Sequence, residues 1–291
     1  MCKAAIDKQE FTFAQQCGVH IIVEPDELED LITYYEQEGY VEEIMRLIES
    51  GMGLERAHMG MFTELGVLYA KYNVAKLMEH VNVFWARINI SKLIRVCEVG
   101  EHWAVQVFLY EKFDEYDNAV VCMMKHAAEA FEHGQLKTLL AKGNNVEIVH
   151  KAIDFYLSHA PLQLNDTLVT LIARLDHNRV VAQVERSGNL SLVMNYLEQV
   201  QQLNLPNVND ALNALYIEDG EYEKLQSSVD SFGNFDVVAL ANAMQAHECL
   251  EFRRLATHLY KKGRQWDQAV ALAKKDKQVS APSFTYAPNA Q

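Results

Sequence analysis

Residues 107–121 read VFLYEKFDEYDNAVV, and residues 257–271 read THLYKKGRQWDQAVA. The two stretches align without a gap. In each, a tyrosine (Tyr110, Tyr260) ends an apolar run, a five-residue polar turn follows, and a second aromatic (Tyr116, Trp266) opens an Asp-x-Ala-Val run. The same grammar recurs at Tyr34/Tyr40, as DLITY then YVEEIM, and at Tyr216/Tyr222, as LNALY then YEKLQSSV. Two stretches of helical period joined by a short turn make a helical hairpin, and several such hairpins in one chain predict a stacked repeat array. The two best-matched hairpins lie about 150 residues apart, so a unit of roughly 30 residues is nested in a longer block, a period foreign to tetratricopeptide and HEAT arrays.

Helical spacing extends beyond these turns. Leu28, Leu31, Ile32 and Tyr35 form an i, i+3, i+4, i+7 stripe; Ile44, Leu47 and Ile48 continue it, and Phe62, Leu65, Leu68 and Tyr69 form another. Glu24-Pro25-Asp26-Glu27 puts proline and acids into a first helical turn, where a missing N–H is harmless and negative charge suits the dipole. Asn165-Asp166 and the run Asn207-Val208-Asn209-Asp210 read as N-caps. Gly39, Gly51, Gly100, Gly134, Gly143, Gly188, Gly220, Gly233 and Gly263 read as stops. The one β-branched run, QCGVHIIV at residues 16–23, is too short to carry a sheet. The pattern predicts an all-α chain, an α-solenoid of stacked short helical hairpins, with roughly twenty helices of about 8–15 residues.

Composition agrees. The 291 residues are 49% hydrophobic and 23% charged, as in ordered proteins, and only Pro25, Pro161 and Pro206 interrupt the first 281. A net charge of −14 argues against a nucleic-acid partner held through phosphates. Acid is concentrated from Glu24 to Glu55, where eleven carboxylates meet one arginine; such a run is a set of solvated helix faces or a docking surface for a basic partner. Five scattered cysteines suit reduced thiols in the cytosol. No apolar run of about 18 residues is present, and the N-terminus MCKAAIDKQE lacks the apolar segment of a secretory signal.

No catalytic constellation emerges, and the expectation is a non-enzyme with no cofactor or metal. Gly51-Met52-Gly53 lacks the third glycine of a dinucleotide turn, and His247-Glu248 has no second histidine at zincin spacing. Cys122 and His126 share a helix face with His133 further on, but no fourth ligand completes a zinc site. Trp85 and Trp103 read as core residues.

Several segments together resemble the clathrin heavy-chain family: ERAHMGMFTELGVLYAKY (55–72), HVNVFWARINISKLIR (80–95), FLYEKFDEYDNAVVCMMKH (108–126), KAIDFYL (151–157), RLDHNR (174–179) and LEFRRLATHLYKKGRQWDQAVALAKKD (250–276). The resemblance runs from about Phe11 to Gln278. It implies an α-α superhelix of clathrin heavy-chain repeats, with residues 19–165 one complete repeat, 168–278 a second, incomplete one, and 1–18 the end of a preceding one. It implies a structural coat protein, the proximal leg of a triskelion, that packs against other heavy-chain legs and binds clathrin light chain. The setting implied is cytoplasmic, peripheral on coated vesicles and coated pits, with membrane reached only indirectly through adaptors. Nothing in the chain resembles the family's N-terminal propeller or its C-terminal trimerisation helices. Residues 279–291 depart from the family and are expected to form an irregular, disordered tail. Two other readings keep a helical array: an adaptor that holds a peptide in a concave groove, and a subunit of a vacuolar tethering complex that shares this repeat.

The resemblance also implies sites. Lys71 matches a lysine of the family's light-chain surface, the companion basic position is Ala160 here, and Lys92 with Arg95, at i, i+3, extends the basic face. Acid-favoured assembly points to His20, His80 and His177, each with an acidic neighbour in sequence (Glu24, Glu79, Asp176), where protonation near pH 6 would add attraction. The bland readings are helix solubility for the cations and packing for the imidazoles.

Overall fold

The computed structural model describes residues 2–8 and 10–276 of the chain; the expected tail at 279–291 lies outside the described residues. The chain divides into two compact units. The first, residues 1–148, holds α1 (Cys2–Asp7), α2 (Phe11–Ile22), α3 (Pro25–Glu38), α4 (Val41–Gly51), α5 (Met59–Tyr72), α6 (Val74–Phe84), α7 (Ile90–Val99), α8 (Trp103–Lys112), α9 (Tyr116–Lys125), α10 (Ala127–Ala130) and α11 (His133–Lys142). The second, residues 149–291, takes in most of α12 (Val146–His159), then α13 (Leu164–Leu171), α14 (His177–Arg186), α15 (Met194–Val200), α16 (Pro206–Glu218), α17 (Tyr222–Ser231), α18 (Val237–Met244), α19 (Leu250–Lys262) and α20 (Trp266–Lys275). The described residues contain no strand.

Within each unit helices pack on successors, as α4 on α5 and α16 on α17, and on the next but one, as α5 on α7 and α14 on α16. In the first unit α2, α4, α6 and α8 thereby make one layer and α3, α5 and α7 the other; in the second, α14, α16 and α18 face α13, α15, α17 and α19. Each unit is an α-solenoid of short helical hairpins. The predicted stripes supply its core. Leu28, Leu31, Ile32, Tyr35, Ile44, Leu47, Ile48, Phe62, Leu65, Leu68 and Tyr69 are all buried, each aliphatic side chain stabilising the fold by about 1.5–3 kcal/mol.

The hairpin turn has one recurring backbone solution. Glu115 N–H donates to Tyr110 O at 2.9 Å, Glu221 N–H to Tyr216 O at 2.9 Å, and Gln265 N–H to Tyr260 O at 2.8 Å. The residue before each donor is left-handed: Asp114 (φ 58), Gly220 (φ 72) and Arg264 (φ 60). This is the Schellman ending, in which the chain reverses by closing a bond back over the last turn. The first hairpin differs by one residue from the sequence expectation. Tyr40 N–H bonds to Tyr35 O across left-handed Gly39, so Tyr35 (1% exposed) takes the packing role expected of Tyr34. Tyr34 is instead half-buried, its hydroxyl donating to Asp7.

Four other expectations are corrected. Gly134 starts a helix, with the Glu132 carboxylate capping the Gly134 and Gln135 N–H groups. Asn165 lies inside α13 and accepts from Tyr196 N–H at 3.0 Å. Asn207 to Asp210 are also inside a helix, because Pro206, with φ preset and no N–H to satisfy, sits at its start. Trp85, in the 3-10 turn after α6, is 38% exposed under the Lys112 ammonium, while Trp103 is half-buried against His126.

Candidate interaction sites

A three-residue clasp recurs in the two units. In the first, α4 supplies Glu49, α5 Tyr69 and α6 Lys76. The Tyr69 hydroxyl and the Lys76 ammonium (2.8 Å) both reach Glu49 Oε1, and the ammonium lies 5.7 Å from the centre of the Tyr69 ring. In the second, α15 supplies Glu198, α16 Tyr216 and α17 Lys224, with contacts of 3.4 Å and 3.9 Å to Glu198 Oε1 and 5.9 Å to the ring. Corresponding residues are about 148 positions apart, a repeat period written into side-chain geometry. A second matched pair confirms the register: Thr63 Oγ1 accepts Asn89 N–H, and Asp210 Oδ1 accepts Asp236 N–H, both at 2.9 Å.

The clasp sets its own electrostatics. Burial pushes the Glu49 carboxyl up, but the bonds from Lys76 and Tyr69 outweigh it and hold the group below the usual carboxylate range. Burial first, and the neighbouring Glu198 charge second, push the Tyr216 hydroxyl up to about 12. Tyr69 moves in the same direction for the same reasons.

The cations expected to form a basic face stand on one layer of the first unit. Lys71, on α5, pairs with Glu36 of α3 at 3.1 Å. Lys92, on α7, pairs with Glu64 of α5 at 2.6 Å. Arg95, one turn on from Lys92, is exposed and makes no ion pair among the described residues. The recurring logic is an acid on one helix and a base on the next helix of the same layer, a staple between stacked neighbours.

The three histidines fall in different environments. His20 is exposed, and its neighbour Glu24 is engaged by Arg56 at 2.5 Å. His80 is 5% exposed, with Nε2 2.8 Å from Phe62 O and its ring between Tyr69 (5.4 Å) and Phe84 (5.2 Å). Burial pulls its pKa down against the opposing bond to Phe62 O and the Glu49 charge. His177 bonds through Nδ1 to Tyr196 OH at 2.8 Å, and burial pulls it down too, against Asp176. For His80 and His177 burial thus works against the protonation near pH 6 that acidic neighbours would favour.

Sequence patterning missed a buried polar network in the second unit. Gln201 Nε2 donates to Ser228 Oγ at 2.8 Å, and Ser228 Oγ donates to Asn213 Oδ1 at 2.6 Å. Asn213 is wholly buried and its Nδ2 has no hydrogen-bond partner. Above the network opens a cleft of about 460 Å³ bordered by Glu198, Gln201, Tyr216, Glu223, Lys224 and Phe232. Only the polar character of Asn213 and Ser228 at helix positions otherwise occupied by core residues signals it.

Among the described residues no group of three or more His, Cys, Asp or Glu is arranged to hold a metal ion, and Cys122 Sγ instead faces Gln106 Oε1 at 3.5 Å. No helix of the described residues is long and apolar enough to cross a membrane. Stacked hairpins, stapled layer to layer with the same clasp in each unit, define a helical-repeat scaffold. The family model described as Clathrin, a region in clathrin and VPS proteins, matches residues 19–164 and 168–291. The chain is 50% identical over 277 residues to a clathrin heavy chain of Drosophila melanogaster, covering 95% of this chain and 16% of that protein. It is 48% identical over 276 residues to clathrin heavy chain 2 of Homo sapiens (95% and 17%) and 48% over 276 residues to clathrin heavy chain 1 of Arabidopsis thaliana (95% and 16%). The chain belongs to the clathrin heavy-chain family, and it spans about a sixth of the length of these relatives.

Proposed function

We propose that this chain acts as a leg segment of a clathrin-type coat, a strut that packs against other heavy-chain legs and carries a light chain. What supports the reading is that relatives named clathrin heavy chain align over 95% of the chain, while its described residues are built only of stacked hairpins. Weak side-by-side contacts repeated along such a strut suit reversible assembly, because many small interfaces add and can be undone piecemeal. The role needs no catalytic group. It is a cytoplasmic one, on coated vesicles and pits in endocytosis and intracellular transport, with membrane reached through adaptors.

The light-chain surface of this reading comprises Lys71, Lys92 and Arg95. Lys71 and Lys92 are already stapled to Glu36 and Glu64, so an acidic partner must compete for them. Arg95 carries the largest share of the proposed recognition. Calorimetric titration with a clathrin light chain tests this: Arg95→Glu should weaken binding at least tenfold, and Lys71→Glu or Lys92→Glu less. Unchanged affinity in all three variants would refute the site. Acid-sensitive leg packing, on the same reading, runs through exposed His20; His20→Gln should flatten the pH dependence of assembly.

A second reading has one observation in its favour, since the matching family model describes VPS proteins as well as clathrin. A subunit of a vacuolar tethering complex would ignore light chain and copurify with other tethering subunits.

A further inference from the structure

We infer that the cleft formed by α15, α16 and α17 is a socket for a guanidinium group, an arginine side chain presented by a partner protein. The argument is independent of the light-chain reading and begins from the clasp. In the first unit Glu49 Oε1 takes both the Tyr69 hydroxyl and the Lys76 ammonium at close range, and the His80 ring packs beside Tyr69. At the corresponding place in the second unit stands Ser228, and the contacts to Glu198 lengthen to 3.4 Å and 3.9 Å. Glu198 is left 40% exposed at the edge of the resulting cleft, with capacity for further donors.

The groups around it select the ligand. Glu198 and Glu223 bring two carboxylates against the single Lys224 ammonium, and Ser227 adds a hydroxyl. Glu223 makes no ion pair among the described residues. Tyr216 and Phe232 border the same cleft with aromatic rings. Several acceptors beside two aromatic residues favour a planar cation, which can hydrogen-bond bidentately at its edge and stack flat on a ring, over a second compact ammonium. The floor is polar: Gln201 donates to Ser228, which donates to the fully buried Asn213 beneath it. That favours a polar, hydrated side chain over an apolar one.

The test uses the whole chain, isotope-labelled, titrated with Nα-acetyl-arginine amide and with its neutral isostere Nα-acetyl-citrulline amide. The side-chain amide resonances of Gln201 and Asn213 are followed by NMR. The arginine probe should shift both with millimolar affinity, and citrulline should bind at least tenfold more weakly. Glu198→Gln should weaken the arginine probe about tenfold, and Ser228→His, which puts back the ring of the first unit, should abolish its binding. Equal shifts from the two probes, or undiminished arginine binding by Glu198→Gln, would overturn the proposal. Should Ser228→His fail to fold, Glu198→Gln at the cleft edge decides the matter alone.

Discussion

Around Tyr69 in the first unit and Tyr216 in the second, the chain closes the same three-helix clasp over different fillings. His80 lies between Tyr69 and Phe84, close to Gly66. The matching places hold Ser228, Phe232 and Asn213. A side chain on Gly66 would start 3.3 Å from Leu93 and 3.5 Å from the His80 ring, so a ring at one position requires almost nothing at the other. In the second unit the volumes are exchanged, a small serine beside a larger asparagine, joined by a hydrogen bond of 2.6 Å. The comparison teaches that the repeat keeps backbone register in a layer while the chemistry and the local filling are free to change. That freedom follows from an architecture in which each hairpin packs only on its neighbours.

The sharpest way to break this comparison is to mix the fillings. Gly66→Asn alone forces an amide against Leu93 and His80 without the serine partner, and should destabilise the first unit by about 3 kcal/mol in urea unfolding. In a His80→Ser background the same change should cost at least about 1 kcal/mol less, because space and a hydrogen-bond partner arrive together. Strict additivity of the two changes would mean that the positions are not a coupled pair.

Acid provides the next test, since only the first unit puts an imidazole into the clasp. The folded pKa of His80 lies below its unfolded value, so the fold favours the neutral ring. Its contribution is complete above the unfolded value of about 6.5 and is lost as pH falls from there through the folded pKa. His177 in the second unit has the same sign, through burial against Tyr196. Thermal unfolding midpoints should therefore drop between pH 7 and pH 5, and His80→Gln should flatten part of that drop. A midpoint that rises on acidification would show that the carboxylate neighbours prevail over burial.

The apolar stripes were legible from sequence because a helix period is local: Leu28, Leu31, Ile32 and Tyr35 announce their face within eight residues. The clasp was not legible. Its members Glu49, Tyr69 and Lys76 come from three helices, and no spacing within any one of them signals the others. The surroundings of the histidines were not legible for a related reason. Glu79 adjoins His80 in sequence, yet consecutive helical residues point about 100° apart, and the carboxylate that acts on the ring is Glu49. Asparagine near an apolar run reads as a cap, but Asn209 lies buried between Asn204 and Asn234, which only the folded chain brings together.

The hairpin turns carry smaller effects of opposite sign. Gly220 and Arg264 occupy equivalent left-handed positions after α16 and α19, one with a glycine and one without. Gly220→Ala should destabilise the second unit by about 1 kcal/mol, and Arg264→Gly should stabilise it by about 0.5–1 kcal/mol, both measured by chemical denaturation. Equal responses at the two turns would show that Arg264 is held there by side-chain contacts that offset its strained backbone.

The smallest effect is the most specific to the clasp. Glu49 receives Lys76 at 2.8 Å, whereas Glu198 receives Lys224 only at 3.9 Å, and all four side chains are partly exposed. A double-mutant cycle with Glu49→Gln and Lys76→Met should give a coupling of about 0.5–1 kcal/mol that shrinks at high salt, and the equivalent cycle at Glu198 and Lys224 should give about zero. If the second cycle matched the first, Glu198 would be as fully engaged as Glu49 and would have little capacity left for a guanidinium. A null result there, beside a measurable coupling at Glu49, places the spare acceptor capacity of the fold at the second clasp, where the cleft opens.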